Sequence, residues 1–460
     1  MKLSGKYETD RDALDMALNT ARSFDIIKRE FTDLNGRKCV LYAIDGLVKD
    51  TVLTDSINFF MRFCEDDTFK KAGVPYIETE TIDEVEKISD AVMKGGTAIL
   101  REKNTTALVM YARSYPLRSV EEPEADKVMR GSRDGFGESI ILNTSLMRRR
   151  IRDNRMCTEK FTVGSATKTD VALCYMDGLC DKKFLSDLEN KIKSIDTDSL
   201  NMGAESLAEV LIKRKWYNPF PKIRYTERPD TACAHLLEGS IILICDNYPA
   251  VMILPTSIFD FAQETDDYYF PPLVGSYLRI SRIIIVILTI YLLPWWYLWQ
   301  RNPSLVPDFL SFVLIENDAK IPLIAQIFLA EFAIDGLKLA AVNTPDMLGN
   351  SLSVVAGLIL SDFAVAAGWL TPAVILYVAI STIGNFTQVS YELGYALKFM
   401  RLLLLLFTAL FGLWGFVAAS LINKILITTN RGVGGRGYLY PLIPFNATAL
   451  KRLIFRVKKQ

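Results

Sequence analysis

The sequence predicts an α/β soluble domain, made of two small mixed α/β subdomains, followed by an all-α polytopic membrane domain. Two observations lead to this fold class. Apolar stretches of bilayer-spanning length occur in the second part of the chain. From Arg279 to the C-terminus there are 15 Lys and Arg against 8 Asp and Glu, whereas the preceding part holds 38 against 45. The predicted divisions are a first subdomain (1–150), a second subdomain (151–275), a transmembrane domain (276–428) and a short basic cytosolic tail (429–460).

Composition excludes several classes of protein. Half of the 460 residues are hydrophobic and the formal net charge is zero, which excludes a disordered chain and argues against a nucleic-acid binder. One histidine and seven cysteines without a C-x-x-C pair leave no signature of a metal or redox site. We recognise no catalytic set and no cofactor loop, so we expect no enzyme, no cofactor and no metal. The first 30 residues lack an apolar core, so we expect no signal peptide.

The first subdomain shows the periodicities of strands and of an amphipathic helix. Lys38–Ile44, with the sequence KCVLYAI, has the composition of a strand. Thr51–Cys64 places its apolar residues at helical spacing. Two short apolar runs, Thr97–Leu100 and Ala107–Tyr111, flank a polar turn and predict a hairpin.

The second subdomain begins near Arg150, within the basic run Arg148–Arg155. No repeat with a period of 20–50 residues is visible to us in either half. The predicted elements are strands at Phe161–Val163, Asp170–Tyr175, Ser240–Cys245 and Ala250–Leu254, a helix at Asp181–Ile192, and a turn at Asp246–Pro249.

Four stretches are long and apolar enough to cross a bilayer, which takes ~20 residues of helix. Trp295, Trp296 and Trp299 crowd the end of the first stretch, as expected for an interfacial aromatic belt. Arg279 and Arg282 precede it. The predicted spans are Ile280–Trp299, Ser351–Leu370 with its single charge Asp362, Thr371–Tyr391, and Leu402–Ile422.

Four spans place both flanks of the membrane domain on one side, and the basic residues of both flanks make that side cytosolic by the positive-inside rule. Lys398 and Arg401 then lie on the outer side, which the rule disfavours. A fifth span at Ile321–Val342 would move that pair inward but would export the basic tail. We prefer four spans and interpret Ile321–Val342 as a polar helix packed inside the domain or a re-entrant hairpin, because polar groups at membrane depth need shielding.

The charges of this polar helix are the first candidates for function. Glu331, Asp335 and Lys338 are spaced i, i+4 and i+7, so they share one helix face. A charge at the bilayer centre costs at least ~2.5 kcal/mol and usually faces a partner or a water path. Carboxylates on such a path attract cations. The alternative is an internal Asp335–Lys338 ion pair with Glu331 near an interface. Asp362 and Asn385 also have two interpretations: they belong to an ion path, or they form hydrogen bonds between helices.

Basic residues are the interaction candidates of the soluble part. One basic run begins with Arg148, Arg149 and Arg150. We expect it either to bind lipid headgroups or an acidic surface of another subunit, or to form ion pairs within the chain. Arg133 lies in Gly131–Gly137, GSRDGFG, which is either an anion-binding loop or a turn in which Arg133 forms a salt bridge.

Two further features favour structural roles. His235 precedes a predicted strand, and we expect it to be packed or hydrogen-bonded rather than to act as a catalytic base. Gly432–Gly437, GVGGRG, lacks the preceding strand and the GK[ST] ending of a phosphate-binding loop, so it predicts a flexible turn.

Several motifs together resemble the signature of the spore germination receptor A-subunit family. The similarity extends over roughly residues 70–445 and includes the acidic helix near Glu331. The motifs, in chain order, are Glu121–Phe136 (EEPEADKVMRGSRDGF), Asn143–Asp153 (NTSLMRRRIRD), Arg228–Asp230 (RPD), His235–Gly239 (HLLEG), Asp246–Pro255 (DNYPAVMILP) and Tyr438–Pro444 (YLYPLIP).

The resemblance implies a multi-pass protein of the spore inner membrane, with its soluble domain facing the cytosol or the spore core. Members of the family are thought to assemble as a homo-oligomer, a pentamer in current descriptions, that passes ions when germination begins. The implied partners are other germination receptor subunits, a small partner membrane protein and the lipid bilayer, with no nucleic acid.

We therefore expect an oligomeric membrane protein of spore germination that forms part of a cation channel. Symmetry would repeat Glu331, Asp335 or Asp362 around a central pore. The alternatives are a non-conducting membrane scaffold that organises germinant receptors and a nutrient-receptor A subunit. A secondary transporter would show inverted repeats, and we see none in the sequence.

Overall fold

A computed structural model divides the chain into two compact units. Unit 1 consists of Met1–Arg214 and Ile223–Thr256, and unit 2 of Lys215–Lys222 and Ser257–Gln460. Residues 257–275, which the sequence analysis placed in the second subdomain, belong to unit 2. An α/β unit and a helical unit confirm the predicted fold class. The structure describes residues 1–63, 76, 78–115, 128, 131–200, 202–212, 215–264, 266–315, 320–344, 357, 362–388, 390–430, 432–433 and 437–455.

The first half of unit 1 is a five-stranded antiparallel sheet in the order β1-β2-β4-β5-β3. Successive side chains of a strand point to opposite faces, and both faces of this sheet are covered. Val40 and Tyr42 join a core with α1 and α3, whereas Leu41 and Ala43 join one with α2. The predicted first strand, helix and hairpin are confirmed. The elements are α1 (Tyr7–Leu18), β1 (Ile26–Thr32), β2 (Lys38–Ile44), α2 (Asp50–Phe63), β3 (Thr79–Ile82), α3 (Val85–Met93), β4 (Thr97–Arg101) and β5 (Ala107–Met110).

The second half of unit 1 repeats this strand order. Its five antiparallel strands run β6-β7-β9-β10-β8, matching the first sheet strand by strand. Because corresponding strands begin at Ile26 and Met156, the repeat is too long for a search at 20–50 residues. The predicted strands and helix are confirmed, and Asp181 caps α5 by accepting from the backbone N–H of Lys183 and Phe184. The elements are α4 (Ile140–Arg150), β6 (Met156–Val163), β7 (Thr169–Met176), α5 (Lys182–Lys193), α6 (Ala204–Leu211), β8 (Arg224–Thr226), α7 (Pro229–Leu237), β9 (Ile241–Cys245) and β10 (Val251–Leu254).

Unit 2 is helical in its described residues. Two of its helices, α9 and α13, are long and apolar enough to cross a membrane, and α12 is a shorter apolar helix. The polar stretch forms one continuous helix, α10, and no re-entrant hairpin. The predicted span Ser351–Leu370 lies largely outside the described residues. The helices are α8 (Asp266–Tyr269), α9 (Pro272–Arg301), α10 (Leu323–Asn343), α11 (Ala364–Ala366), α12 (Pro372–Phe386), α13 (Tyr391–Thr429) and α14 (Ala447–Ile454), with 3-10 turns at Asp260–Ala262, Pro303–Leu305 and Asp308–Val313.

The longest helical run, α13, is a hairpin of two arms. Gly412 interrupts it with φ 61° and ψ −137°, a conformation that favours glycine. Asn423 Nδ2 donates to the carbonyl of Met400 at 3.3 Å, although a straight helix would separate residues 23 positions apart by roughly 35 Å. A Cβ added to Gly415 would collide with the carbonyl oxygen of Phe407. The predicted span Leu402–Ile422 is therefore wrong in its bounds, because the chain reverses within it at Gly412.

Side-chain contacts give the relative directions of these helices. The first arm of α13 (391–411) runs parallel to α9, since Arg401 contacts the Thr289 carbonyl and Arg301 contacts that of Thr408. Helices α10 and α12 run antiparallel to these two, as the Glu331–Arg401 and Asp335–Lys398 pairs show for α10, and the Gly384–Thr289 and Tyr377–Trp296 contacts show for α12. The second arm (413–429) returns toward the beginning of α9.

The two ends of unit 2 consequently meet. Arg279 Nη1, near the beginning of α9, donates to the carbonyl of Leu453 in α14 at 3.2 Å. The backbone N–H of Ile258 donates to the carbonyl of Tyr438 at 2.9 Å. The reversal at Gly412 brings the C-terminal residues to this end of the unit.

Candidate functional site

Four charged side chains from two helices meet in the interior of unit 2, and we call them the charge cluster. Glu331 and Asp335 belong to α10, and Lys398 and Arg401 to the first arm of α13. Arg401 Nε and Nη2 donate to Glu331 Oε1 at 3.0 and 2.7 Å, and Arg401 Nη1 donates to the carbonyl of Thr289 at 3.0 Å. Lys398 Nζ lies 3.1 Å from Glu331 Oε2 and 2.5 Å from Asp335 Oδ2. Both carboxylates are thereby paired, as burial of charge requires.

Burial differs within the charge cluster. Glu331, Lys398 and Arg401 are buried, with 0% of the Arg401 side chain exposed, whereas 39% of the Asp335 side chain is exposed. Glu331 therefore has the surroundings of a structural ion pair, held from both sides by cations. Asp335 is the carboxylate of the two that water or an ion reaches more easily.

The structure corrects two sequence-based interpretations of these charges. Asp335 pairs with Lys398, and not with Lys338 as the alternative interpretation had it. Lys398 and Arg401 lie inside the helical unit and not in an outer loop, so they have no place in the positive-inside count. The sequence does contain a signal for their role. Their i, i+3 spacing places both cations on one face of a helix. Two acids spaced i, i+4 share a face of the neighbouring helix in the same way, so the two faces can form two ion pairs.

Lys338, one turn beyond Asp335, lies among aromatic rings. Its Nζ is 4.3 Å from the ring centroid of Tyr395, 5.4 Å from that of Tyr391 and 5.5 Å from that of Phe386. These are cation–π distances. Within the described part of the chain, Lys338 has no carboxylate partner and no hydrogen bond.

A pocket opens beside the charge cluster between α10, α12 and the first arm of α13. Its cavity volume is about 40 Å³, and it is partly open to the surroundings. Asn385, an ion-path candidate of the sequence analysis, lines it together with Glu331 and Asp335. The lining residues are Glu331, Ile334, Asp335, Lys338, Thr382, Asn385, Phe386, Gln388, Tyr391, Gly394, Tyr395 and Lys398.

Two amide oxygens of this pocket are buried without a donor among the described residues, Asn385 Oδ1 and Gln388 Oε1. The Gln388 side chain is orientated by its Nε2, which donates to the carbonyl of Gly384 at 3.0 Å. Its oxygen is therefore the atom left to accept. A buried acceptor without a donor costs free energy, and water or a ligand normally satisfies it.

Asp362, the fourth ion-path candidate, does not line the pocket. It is exposed, just before α11. The structure thus brings Glu331, Asp335 and Asn385 together and leaves Asp362 apart. Gln388 and Lys398 are pocket residues that the sequence analysis did not single out for function.

The arginines that precede α9's apolar core are also paired. Arg279 Nε and Arg282 Nη1 lie 3.3 and 3.1 Å from Asp267 Oδ2, and Arg282 Nη2 lies 2.5 Å from Glu264 Oε2. Asp267 is fully buried. These two arginines, which were counted as a basic flank from the sequence, are neutralised by acids of the same unit.

The basic run of unit 1 is largely structural. Arg148 is fully buried and pairs with Asp25 at 2.6 Å, joining the two halves of the unit. Arg150 Nη2 lies 2.6 Å from Asp134 Oδ1. The guanidinium of Arg149 stacks 5.3 Å from the ring of Tyr115. Removing Asp25 would leave a buried cation, which typically costs ~3–5 kcal/mol.

The loop Gly131–Gly137 is held from two sides. Arg150 binds Asp134, and Arg228 Nη2 donates to the carbonyl of Ser132 at 2.8 Å. The loop is thus an ordered turn, and among the residues that the structure describes the arginine that pairs in it is Arg150 and not Arg133. Arg133 itself is exposed, and its role as an interaction residue stays a prediction.

His235 lies beside Arg224, whose Nη1 is 3.3 Å from His235 Nε2. Burial among protein atoms, followed by the charge of Arg224, lowers the pKa of His235 to about 3. The ring is therefore neutral at physiological pH.

Comparison with known proteins places the chain in a family. The family description "Bacillus/Clostridium GerA spore germination protein" matches residues 13–460. The chain belongs to the GerA spore germination family. Stage V sporulation protein AF of Bacillus subtilis (strain 168) is 37% identical over 444 residues, which cover 95% of this chain and 90% of that protein. Spore germination protein KA of the same strain is 29% identical, over 81% of this chain and 68% of that protein.

Membership of the GerA family confirms the resemblance inferred from the motifs. From its sequence we interpret the segment Lys215–Asp230, KWYNPFPKIRYTERPD, as a resemblance to stage V sporulation protein AF in particular. Spore germination protein A1 of Bacillus subtilis (strain 168) is 25% identical, over 88% of this chain and 82% of that protein. The N-terminal domain of the A subunit of the Bacillus megaterium spore germinant receptor GerK3, known from a crystal structure, is 22% identical, with a TM-score of 0.41 over 55% of this chain and 96% of that domain.

Proposed function

We propose that this GerA family protein is a subunit of an oligomeric cation channel in the spore inner membrane. The observation that supports it best is the charge cluster beside a polar pocket in the helical unit. Ionisable groups in such a setting are rare and usually belong to ion paths, because each costs free energy to insert. The soluble unit would face the cytosol or the spore core, and other germination receptor subunits and a small membrane protein would be its partners.

In this proposal the charge cluster represents a closed arrangement. Asp335 is held by Lys398, which is itself shared with Glu331. Separation of α10 from the first arm of α13 would release Asp335 first, since it is the more exposed acid and has one partner. A ring of such carboxylates, one from each subunit, would attract cations to a central path. A trigger must bind the open and closed arrangements differently to shift their populations.

The test is ion flux through the purified protein in liposomes, with the mass of the oligomer measured in parallel. We expect Asp335→Asn and Asp362→Asn to reduce cation flux, with Asp308→Asn, an exposed acid between α9 and α10, as the matched control. Glu331→Gln is less informative because it also removes a buried ion pair. Flux that is equal in Asp335→Asn, Asp362→Asn and Asp308→Asn proteins would contradict the assigned path.

The pairing of Glu331 supports a second candidate function, a non-conducting scaffold for germinant receptors. An acid bound by two cations stabilises the contact between helices and needs no ion path. A stable oligomer without cation flux, both alone and with its partner subunits, would favour this scaffold over the channel.

A further inference from the structure

The pocket beside the charge cluster lacks the partners that its own polar groups require. The two acids of the cluster are bound by Lys398 and Arg401, which leaves Lys338 as a cation without a described carboxylate. The amide oxygens of Asn385 and Gln388 are buried acceptors without a described donor. Gln388 is only 7% exposed. A fitting ligand must therefore bring one negative group and at least one N–H or O–H donor.

Simple ions meet only half of this requirement. An inorganic anion would pair with Lys338 but would place its charge near two amide oxygens that need donors. A metal cation would bind those oxygens but would lie in a pocket with two lysines, Lys338 and Lys398. A zwitterion with a primary ammonium group satisfies both sets, with its anion at Lys338 and its N–H donors at Asn385 and Gln388.

The mouth of the pocket indicates where such a group comes from. Phe386 and Tyr391, which are 58% and 69% exposed, stand where α12 ends and α13 begins. Gly384 packs against Thr289, just past the middle of α9, and because α12 runs antiparallel to α9 the turn after it lies closer to the beginning of α9. Exposed aromatic side chains next to a lysine at the end of a membrane helix are typical of the bilayer interface, the depth at which phospholipid headgroups lie.

From these observations we infer that the pocket binds the phosphoethanolamine headgroup of a phospholipid. The phosphate accepts hydrogen bonds from Lys338, and the primary ammonium donates to Gln388 Oε1 and Asn385 Oδ1. A trimethylammonium headgroup has no N–H to donate, so the pocket discriminates against it. This inference is independent of whether the protein conducts ions.

The test is lipid binding by the full chain in detergent, stripped of lipid and supplied with phosphatidylethanolamine or phosphatidylcholine of the same acyl chains. Bound lipid is counted by native mass spectrometry. We expect at least tenfold preference for phosphatidylethanolamine in the wild type. Gln388→Met should abolish that preference with phosphatidylcholine binding unchanged, whereas Lys338→Met should weaken binding of both lipids. Lys424→Met, which removes an exposed lysine of the second arm of α13, is the control for general attraction to phosphate.

Three outcomes would overturn the inference. One is equal binding of the two lipids by the wild type, and another is a Lys338→Met protein that binds like Lys424→Met. The third is saturable binding of soluble O-phosphoethanolamine without any preference among lipids, which would assign the same chemistry to a free solute. Intrinsic tryptophan fluorescence, to which the buried Trp296 of the same unit contributes, checks that each variant is folded. The flux assay does not enter this test, so the two proposals fail separately.

Discussion

The Glu331–Arg401 pair predicts a pronounced asymmetry between single and double substitutions. Arg401 is fully buried and makes three hydrogen bonds, two to Glu331 and one to the carbonyl of Thr289. Removing one partner of a buried ion pair typically costs ~3–5 kcal/mol, because the other charge stays buried. Glu331→Gln should lie in the upper part of that range, since it takes the carboxylate partner from the fully buried Arg401, although Lys398 keeps Asp335. Arg401→Gln should lie nearer the lower limit, because Glu331 keeps Lys398 as a partner.

The double variant Glu331→Gln/Arg401→Gln should cost clearly less than the sum of the singles, with a coupling of ~2 kcal/mol or more, since residues in one network are not additive. The assay is unfolding in mixed micelles of increasing denaturing-detergent fraction, followed by intrinsic tryptophan fluorescence. All six tryptophans of the chain contribute to this signal, among them Trp296, which is buried and stacks on Tyr377 at 4.4 Å. Lys424→Gln is the control, an exposed cation of the second arm of α13 expected to cost less than ~1 kcal/mol. The reasoning is refuted if Arg401→Gln costs no more than Lys424→Gln, or if the double variant equals the sum.

Two further predictions use the same kind of measurement. Gly415→Ala should shorten or break the α13 hairpin, because its Cβ would collide with the Phe407 carbonyl, whereas Gly336→Ala meets nothing within 4 Å and should be neutral or slightly stabilising; equal unfolding midpoints for the two would contradict the hairpin. In unit 1, the pKa of His235 is lowered to about 3 from its ordinary 6.5, so the folded state stays neutral where the unfolded state takes up a proton. The contribution of neutral His235 to the free energy of unfolding is thus fully present above pH 6.5, and it is lost as the pH falls from there toward 3. His235→Gln should reduce this loss in thermal melts across that range, and an unchanged pH profile would count against a neutral, enclosed His235.

The fold class was readable from the sequence because each unit has its own local pattern. KCVLYAI has strand composition, and its residues form β2 with the predicted bounds. The first long apolar helix was equally readable, since its run of apolar residues ends in tryptophans, the pattern that is typical of a membrane span. The repeated strand order in unit 1 was not readable, because it depends on pairing between strands far apart in the chain, such as Cys39 with Arg101 and Val171 with Cys245, and leaves no short sequence period.

Part of the candidate site was also predictable. Glu331 and Asp335 stand out as charges on an apolar helix, whatever they contact. Their partners were not predictable, because Lys398 and Arg401 are some seventy positions away and resemble ordinary loop charges until the packing of α13 against α10 is known. The same holds for Gln388, whose importance lies in an oxygen that packing leaves without a donor.

By itself, the sequence determined what depends on local composition: an acidic α/β part, an apolar helical part, membership of the GerA family, and acids inside an apolar helix. Tertiary structure alone decided which charges neutralise each other and where the chain turns. The reversal at Gly412 shows why. The backbone angles of one glycine among leucines carry almost no signal in the sequence, yet packing of the two arms selects them. That choice brings the C-terminal residues back to the beginning of α9.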